Sequence, residues 1–189
     1  MDVSTLLDCN GLLALWRHMA ATVGSGRTDW CELNEHGEMV TNPRPSARRQ
    51  IALTDVYCDI TGQIGHLAAM SVAVTTPSFG IRVPDVVWMP CERWESFDRD
   101  EPVPFVPDLC VEVLLDSDRA QDIGRRVNAY LEGGAREVMV VGQHGQVEIW
   151  GTTGRRRASI FGVTLSLDPM YFEEIGVSSV LSVRCSTGR

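Results

Sequence analysis

The stretch from residue 109 to residue 143 most constrains the fold. It reads LCVEVLL, then SDRAQDIGRRVNAYLEGG, then EVMVVGQ. An apolar strand, a crossover helix and a second apolar strand form a βαβ unit, and a connection of this length sets the two strands parallel. Ile123, Val127, Tyr130 and Leu131 give the helix one buried stripe. Ser117 is placed to cap its start with Asp118 favourably beside it, and Gly133–Gly134 stop it.

The other elements follow from local pattern. Residues 4–21 carry Leu6, Leu7, Leu12, Leu13, Leu15 and Met19 at helical spacing, ahead of GSG. WCEL, NEHG and EMV read as strand, turn and strand. Between residues 46 and 65, Leu53, Val56, Ile60 and Ile64 recur at three or four residues and predict a helix with one buried face. AAMSVAVTT and GIRVPDVVWM alternate as strands and read as an antiparallel pair turning at PSFG. EVMVVGQ and QVEIWGTT flank the turn at HG as a further hairpin, RRRASIFG and VTLSLD follow, and PMYFEEIG suits a turn of helix. Most connections are hairpins, so the class is α+β with a mixed sheet, in one domain spanning 1–189.

Composition narrows the function classes. The longest apolar runs, VVWM and VMVV, fall far short of the ~20 residues that cross a bilayer. An acid stands near the start, where a signal peptide carries basic residues, so the expectation is a soluble cytoplasmic protein. The six cysteines form no CxxC pair and the four histidines are dispersed, which argues against zinc. A formal charge of −8 argues against an extended basic surface for nucleic acid. The run Arg155–Arg157 reads as a turn or an exposed strand end.

Two acids stand out because they interrupt apolar strands. Glu112 lies between Val111 and Val113, and Asp85 follows Pro84 in VPDVVWM. Burying a carboxylate unpaired costs several kcal/mol or more. Pro84 cannot donate to a ladder, so its strand should bulge or lie at an edge there. If the two strands are neighbours, both carboxylates face one pocket and cannot both ionise without a cation. That cation is either arginine, acid by acid, or one divalent ion with oxygen ligands. Lysine is absent: all 17 basic residues are arginine. Arginine can hold a phosphate but does not deprotonate, so it cannot act as a general base. Arg126 borders the buried stripe of its helix. It can reach over the sheet toward Glu112, or form a surface pair with Asp122 worth ~0.5 kcal/mol or less.

The order of motifs resembles one family. EL-x-x-x-GE, P-x-P, a helix, RVPDVVW, PDLCVEVL, D-x-x-x-R-x-x-x-Y-x-x-x-G and EVMVV resemble the Uma-two family, bacterial proteins with a PD-(D/E)XK restriction-endonuclease-like fold. The resemblance covers about residues 31–175, leaving 1–30 as an N-terminal helical extension. It implies Mg2+- or Mn2+-dependent phosphodiester hydrolysis of DNA, with no membrane association and with a homodimer as one assembly. It assigns the metal to Asp85, Glu112 and the backbone carbonyl of Val113, and makes Glu38 an outer ligand. Arg126 falls where the family has lysine and would contact the scissile phosphate. Arg49 falls where the family has histidine, and Leu115–Asp116 where it often has Ser-Pro. These departures leave a second function class open: a nuclease fold that binds nucleic acid or a protein without cutting.

Overall fold

The structure is a computed structural model in which residues 6–23, 31–42, 45–65, 67–115 and 122–172 are described. In chain order the elements are α1 (Cys9–Val23), β1 (Cys31–Leu33), β2 (Met39–Thr41), α2 (Ala47–Ile64), β3 (Ala68–Met70), β4 (Val74–Thr75), β5 (Ile81–Arg82) and β6 (Val86–Trp88). A short α3 (Cys91–Trp94) leads to β7 (Leu109–Val113), α4 (Ile123–Glu132), β8 (Glu137–Val141), β9 (Val147–Gly151) and β10 (Gly154–Arg156). One sheet runs β2-β1-β5-β4, and a larger one runs β10-β9-β8-β7-β6-β3. The α+β class and mixed sheet are as expected.

The βαβ unit organises the larger sheet. β7 and β8 pair in parallel from Leu109↔Glu137 to Val113↔Val141, and every residue of both strands is buried. Burial on both faces follows from a helix on each side. On one face α2 packs Ala52, Leu53, Val56 and Ile60 against Val86, Leu109, Val111, Val113, Met139 and Val141. On the other, α4 lays Val127 and Tyr130 against Val87, Cys110, Leu114, Val138 and Val140. Alternate residues of one strand thus feed two cores, and each fully buried aliphatic side chain contributes about 1.5–3 kcal/mol.

Local signals set the helix ends. Ser46 caps α2 by accepting from the Arg49 amide at 3.2 Å, and Gly65 ends it at φ 89°. The expected cap of α4 at Ser117 lies outside the described residues. Within them the helix starts after Asp122, whose side chain makes no cap bond. The smaller sheet is covered by α1, which buries Leu12 and Leu13 beside Leu33 and Ile81.

Two expectations are corrected. AAMSVAVTT is not one strand, and neither is GIRVPDVVWM. Each is divided between the two sheets: β4 pairs β5 in the smaller one, and β3 pairs β6 in the larger. The first breaks at Ser71, which takes a left-handed φ of 55°. The second breaks across Val83–Pro84–Asp85, where Pro84 has no amide to continue a ladder. Likewise RRRASIFG and VTLSLD contribute only β10, and the expected C-terminal turn of helix is a short 3-10 turn, Pro169–Tyr171. Glu137 fixes the segment after β10 from beneath, accepting from Ser159 Oγ at 2.6 Å and the Ile160 amide at 2.8 Å.

Candidate functional site

The break at Val83–Pro84–Asp85 puts the chain where the two sheets meet. β6 and β7 are antiparallel with Val86 opposite Val111 and Val87 opposite Cys110. Just before β6 the Asp85 amide donates to the Val111 carbonyl at 3.0 Å, one residue out of that register. Val87 and Cys110 face α4, and the alternation of β7 directs Glu112 to that side too, whereas Asp85, outside the ladder, is met by Arg49 of α2. Asp85 and Glu112 are 4% and 0% exposed.

Arginines meet them. Arg49, at the start of α2, donates Nη2 to Asp85 Oδ1 at 2.6 Å and Oδ2 at 2.7 Å. The Val113 amide also donates to Asp85 Oδ2, at 2.7 Å. Glu112 Oε1 accepts from the Tyr130 hydroxyl at 2.7 Å and from Arg126 Nη1 at 3.3 Å. Tyr130 and Arg126 lie one turn apart on α4, so the crossover helix presents both to the strand it covers.

The strongest partner of Arg126 is a third acid. Glu32, in the middle of β1, accepts from Arg126 Nη1 at 2.8 Å and Nη2 at 2.6 Å, a two-pronged pair. Arg82 of β5 adds Nη1 to Glu32 Oε2 at 3.1 Å, and the Val83 amide donates to Oε1 at 2.9 Å. Burial pushes the Glu32 carboxyl up, but Arg126, Arg82 and the Val83 amide together prevail and hold it at about 2. Burial acts against the charge of Arg126, yet Glu112, Tyr130 and Glu32 raise its affinity for its proton. Burial, then Glu112, drive the Tyr130 hydroxyl well above its ordinary range, so it is a donor at any ordinary pH.

The sequence therefore located three residues of one cluster, Asp85, Glu112 and Arg126, and placed Val113 beside them. The Val113 amide donates to Asp85. Arg126 does not form the surface pair with Asp122, whose backbone carbonyl merely accepts the helical bond from the Arg126 amide. Glu38 is not brought in. It is exposed at the end of the β1–β2 turn, where its amide and carboxylate bond the side chain of Asn34. Glu32 was missed, although it shows the signal that marked Glu112: a carboxylate between apolar neighbours in a short strand.

A second layer steadies this arrangement. Two guanidinium carbons approach the Phe79 ring, Arg82 at 3.5 Å and Arg125 at 4.1 Å from its centroid. Arg125 also pairs with Glu35 at 2.8 Å. Through Arg125 and Arg126, α4 is fastened to the smaller sheet as well as to the one it packs on.

A mixed sheet between helices, with buried acids where two strands part, is a restriction-endonuclease-like fold. Residues 31–177 match the Uma-two family model, described as "Putative restriction endonuclease", and the chain belongs to that family. A crystal structure of a "putative nuclease belonging to DUF820" from Anabaena variabilis aligns with TM-score 0.54 at 15% identity, over 64% of this chain and 71% of that one. No curated protein matches. Among the described residues no helix is long and apolar enough to cross a membrane.

Proposed function

We propose that this chain uses a nuclease fold to bind DNA without metal-dependent cleavage. The family supports the nucleic-acid partner. The observation that carries the absence of cutting is the state of the acids: Glu32, Asp85 and Glu112 are all buried and all held by guanidinium groups.

The family's chemistry calls for Mg2+ or Mn2+ at Asp85, Glu112 and the Val113 carbonyl, where the ion activates a water and offsets charge on the phosphate. The donors do not fit it. A hard cation needs carboxylate oxygens turned toward it at about 2.0–2.6 Å. Here both Asp85 oxygens face Arg49 and the Val113 amide, and Glu112 Oε1 faces Tyr130 and Arg126. Among the described residues no group of three or more His, Cys, Asp or Glu side chains is arranged to hold a metal.

The second reading is hydrolysis itself, with Asp85 and Glu112 as ligands, Glu32 in the outer role expected of Glu38, and Arg126 on the scissile phosphate. Its supporting observation is that Asp85 and Glu112 are both buried at the β6–β7 junction, Asp85 accepting from the Val113 amide next to Glu112. One experiment separates the two. Supercoiled plasmid and short single- and double-stranded oligonucleotides are incubated with the protein in Mg2+ or Mn2+, and the same samples are run for mobility shift. A salt-sensitive shift without nicking supports the proposal. Nicking that needs Mn2+ and disappears in Glu112→Gln overturns it in favour of hydrolysis. Neither shift nor nicking removes DNA as the partner.

A further inference from the structure

We infer that Arg49 and Arg126 take over, in this chain, the electrostatic work of a divalent cation, so that the acidic centre is complete without metal and accepts none. This deepens the non-cutting reading by naming the residues responsible for it.

The charges balance inside the cluster. Glu32, Asp85 and Glu112 contribute three negative charges, and Arg49, Arg82 and Arg126 three positive ones. None of the six residues is more than 4% exposed. A further double positive charge entering this volume would meet no excess of anion. It would also lose its hydration, which costs several kcal/mol per ion even after the protein relaxes. A lysine could make way by shedding its proton, since burial readily lowers its pKa. A guanidinium cannot, so an entering ion faces a permanent like charge.

Geometry separates the two arginines' parts. Arg49 comes from the opposite side of the sheet, from the first turn of α2, and ends on both oxygens of Asp85. Arg126 comes from α4 and spans Glu32 and Glu112, linking the smaller sheet to the larger. Between them they reach all three acids. The fit is imperfect: among the described residues the Nε–H groups of Arg82 and Arg126 are buried without a partner. Two guanidinium forks therefore sit in a space that does not satisfy every donor they carry, as expected where a planar five-donor group fills a place shaped by carboxylates.

The test measures metal directly. Mn2+ binding is followed by electron paramagnetic resonance and calorimetry, with melting temperature as a second readout, on the folded wild type and on Arg49→His/Arg126→Lys. The wild type should bind no stoichiometric Mn2+ and show no metal-dependent rise in melting temperature. The double variant should gain one site, with apparent affinity improved roughly 10- to 1000-fold, the scale on which one nearby buried charge shifts an ionic equilibrium. Adding Glu112→Gln should abolish that site. Stoichiometric Mn2+ on the wild type that is lost in Glu112→Gln overturns the inference, and this arm needs no arginine variant to fold. A folded double variant that binds no Mn2+ also overturns it, because the arginines would then not be what excludes the ion. DNA shift and nicking are read separately, so loss of DNA binding rejects the proposed function and leaves the metal result intact.

Discussion

Arg126 grips Glu32 with two nitrogens, Nη1 on Oε1 at 2.8 Å and Nη2 on Oε2 at 2.6 Å, across 94 residues of sequence. The same Nη1 reaches Glu112 at 3.3 Å. One side chain thus joins both sheets through the crossover helix.

Removing it should cost far more than a surface pair. Arg126→Ala leaves two buried carboxylates undercompensated, and about 3–5 kcal/mol of stability should be lost in urea denaturation. Arg126→Lys should recover only part of this, since an ammonium lacks the planar fork. A loss within about 0.5 kcal/mol, as at an ordinary surface position, would refute the structural role.

Glu32 should dominate acid sensitivity. Its folded pKa of about 2 lies below the ordinary 4.5, so its contribution is fully present above 4.5 and is lost as pH falls through the folded value. The contribution is about 3 kcal/mol, at 1.36 kcal/mol per unit. The slope of unfolding free energy between those two pH values should flatten in Glu32→Gln, and an unchanged slope would place the acid-labile group elsewhere.

Glu32 and Glu38, both in the first hairpin, should behave oppositely. Glu38→Gln should change stability by no more than about 0.5 kcal/mol, because Glu38 is exposed. Glu32→Gln leaves Arg82 and Arg126 with a weaker partner in a buried site and should cost several times more. Equal effects would show that Glu32 is not the anchor.

Phe79 should couple energetically to Arg125. The guanidinium–ring contact is worth about 0.5–2 kcal/mol, toward the lower end here because Arg125 is half exposed on its outer side. A double-mutant cycle on Phe79→Leu and Arg125→Ala should return a coupling near 0.5 kcal/mol or more. Strict additivity would mean the stacking contributes nothing.

Much of the fold was legible because its signals are local. The α2 stripe at Leu53, Val56 and Ile60 and the apolar strands of the βαβ unit need only neighbours in sequence. Pro84 announced a disrupted strand for the same reason. Sequence pattern did not reveal that Ser71 breaks the preceding strand. An αL serine has no signature of its own, and the break exists because two sheets diverge there.

The sequence by itself determined that Asp85 and Glu112 would be buried and that each would need a cation. It also determined that the cation could not be lysine. Only the tertiary structure decided which cations serve: Arg49 from α2, and Arg126 shared with Glu32 rather than paired with Asp122. It likewise set Glu32 in the cluster and left Glu38 in solvent, because β1 lies in a different sheet from Glu112 and only the packing of α4 over the junction brings them together. Periodicity reports which face of an element is buried. It carries no information about which distant element buries it, and charge pairing depends on that second fact.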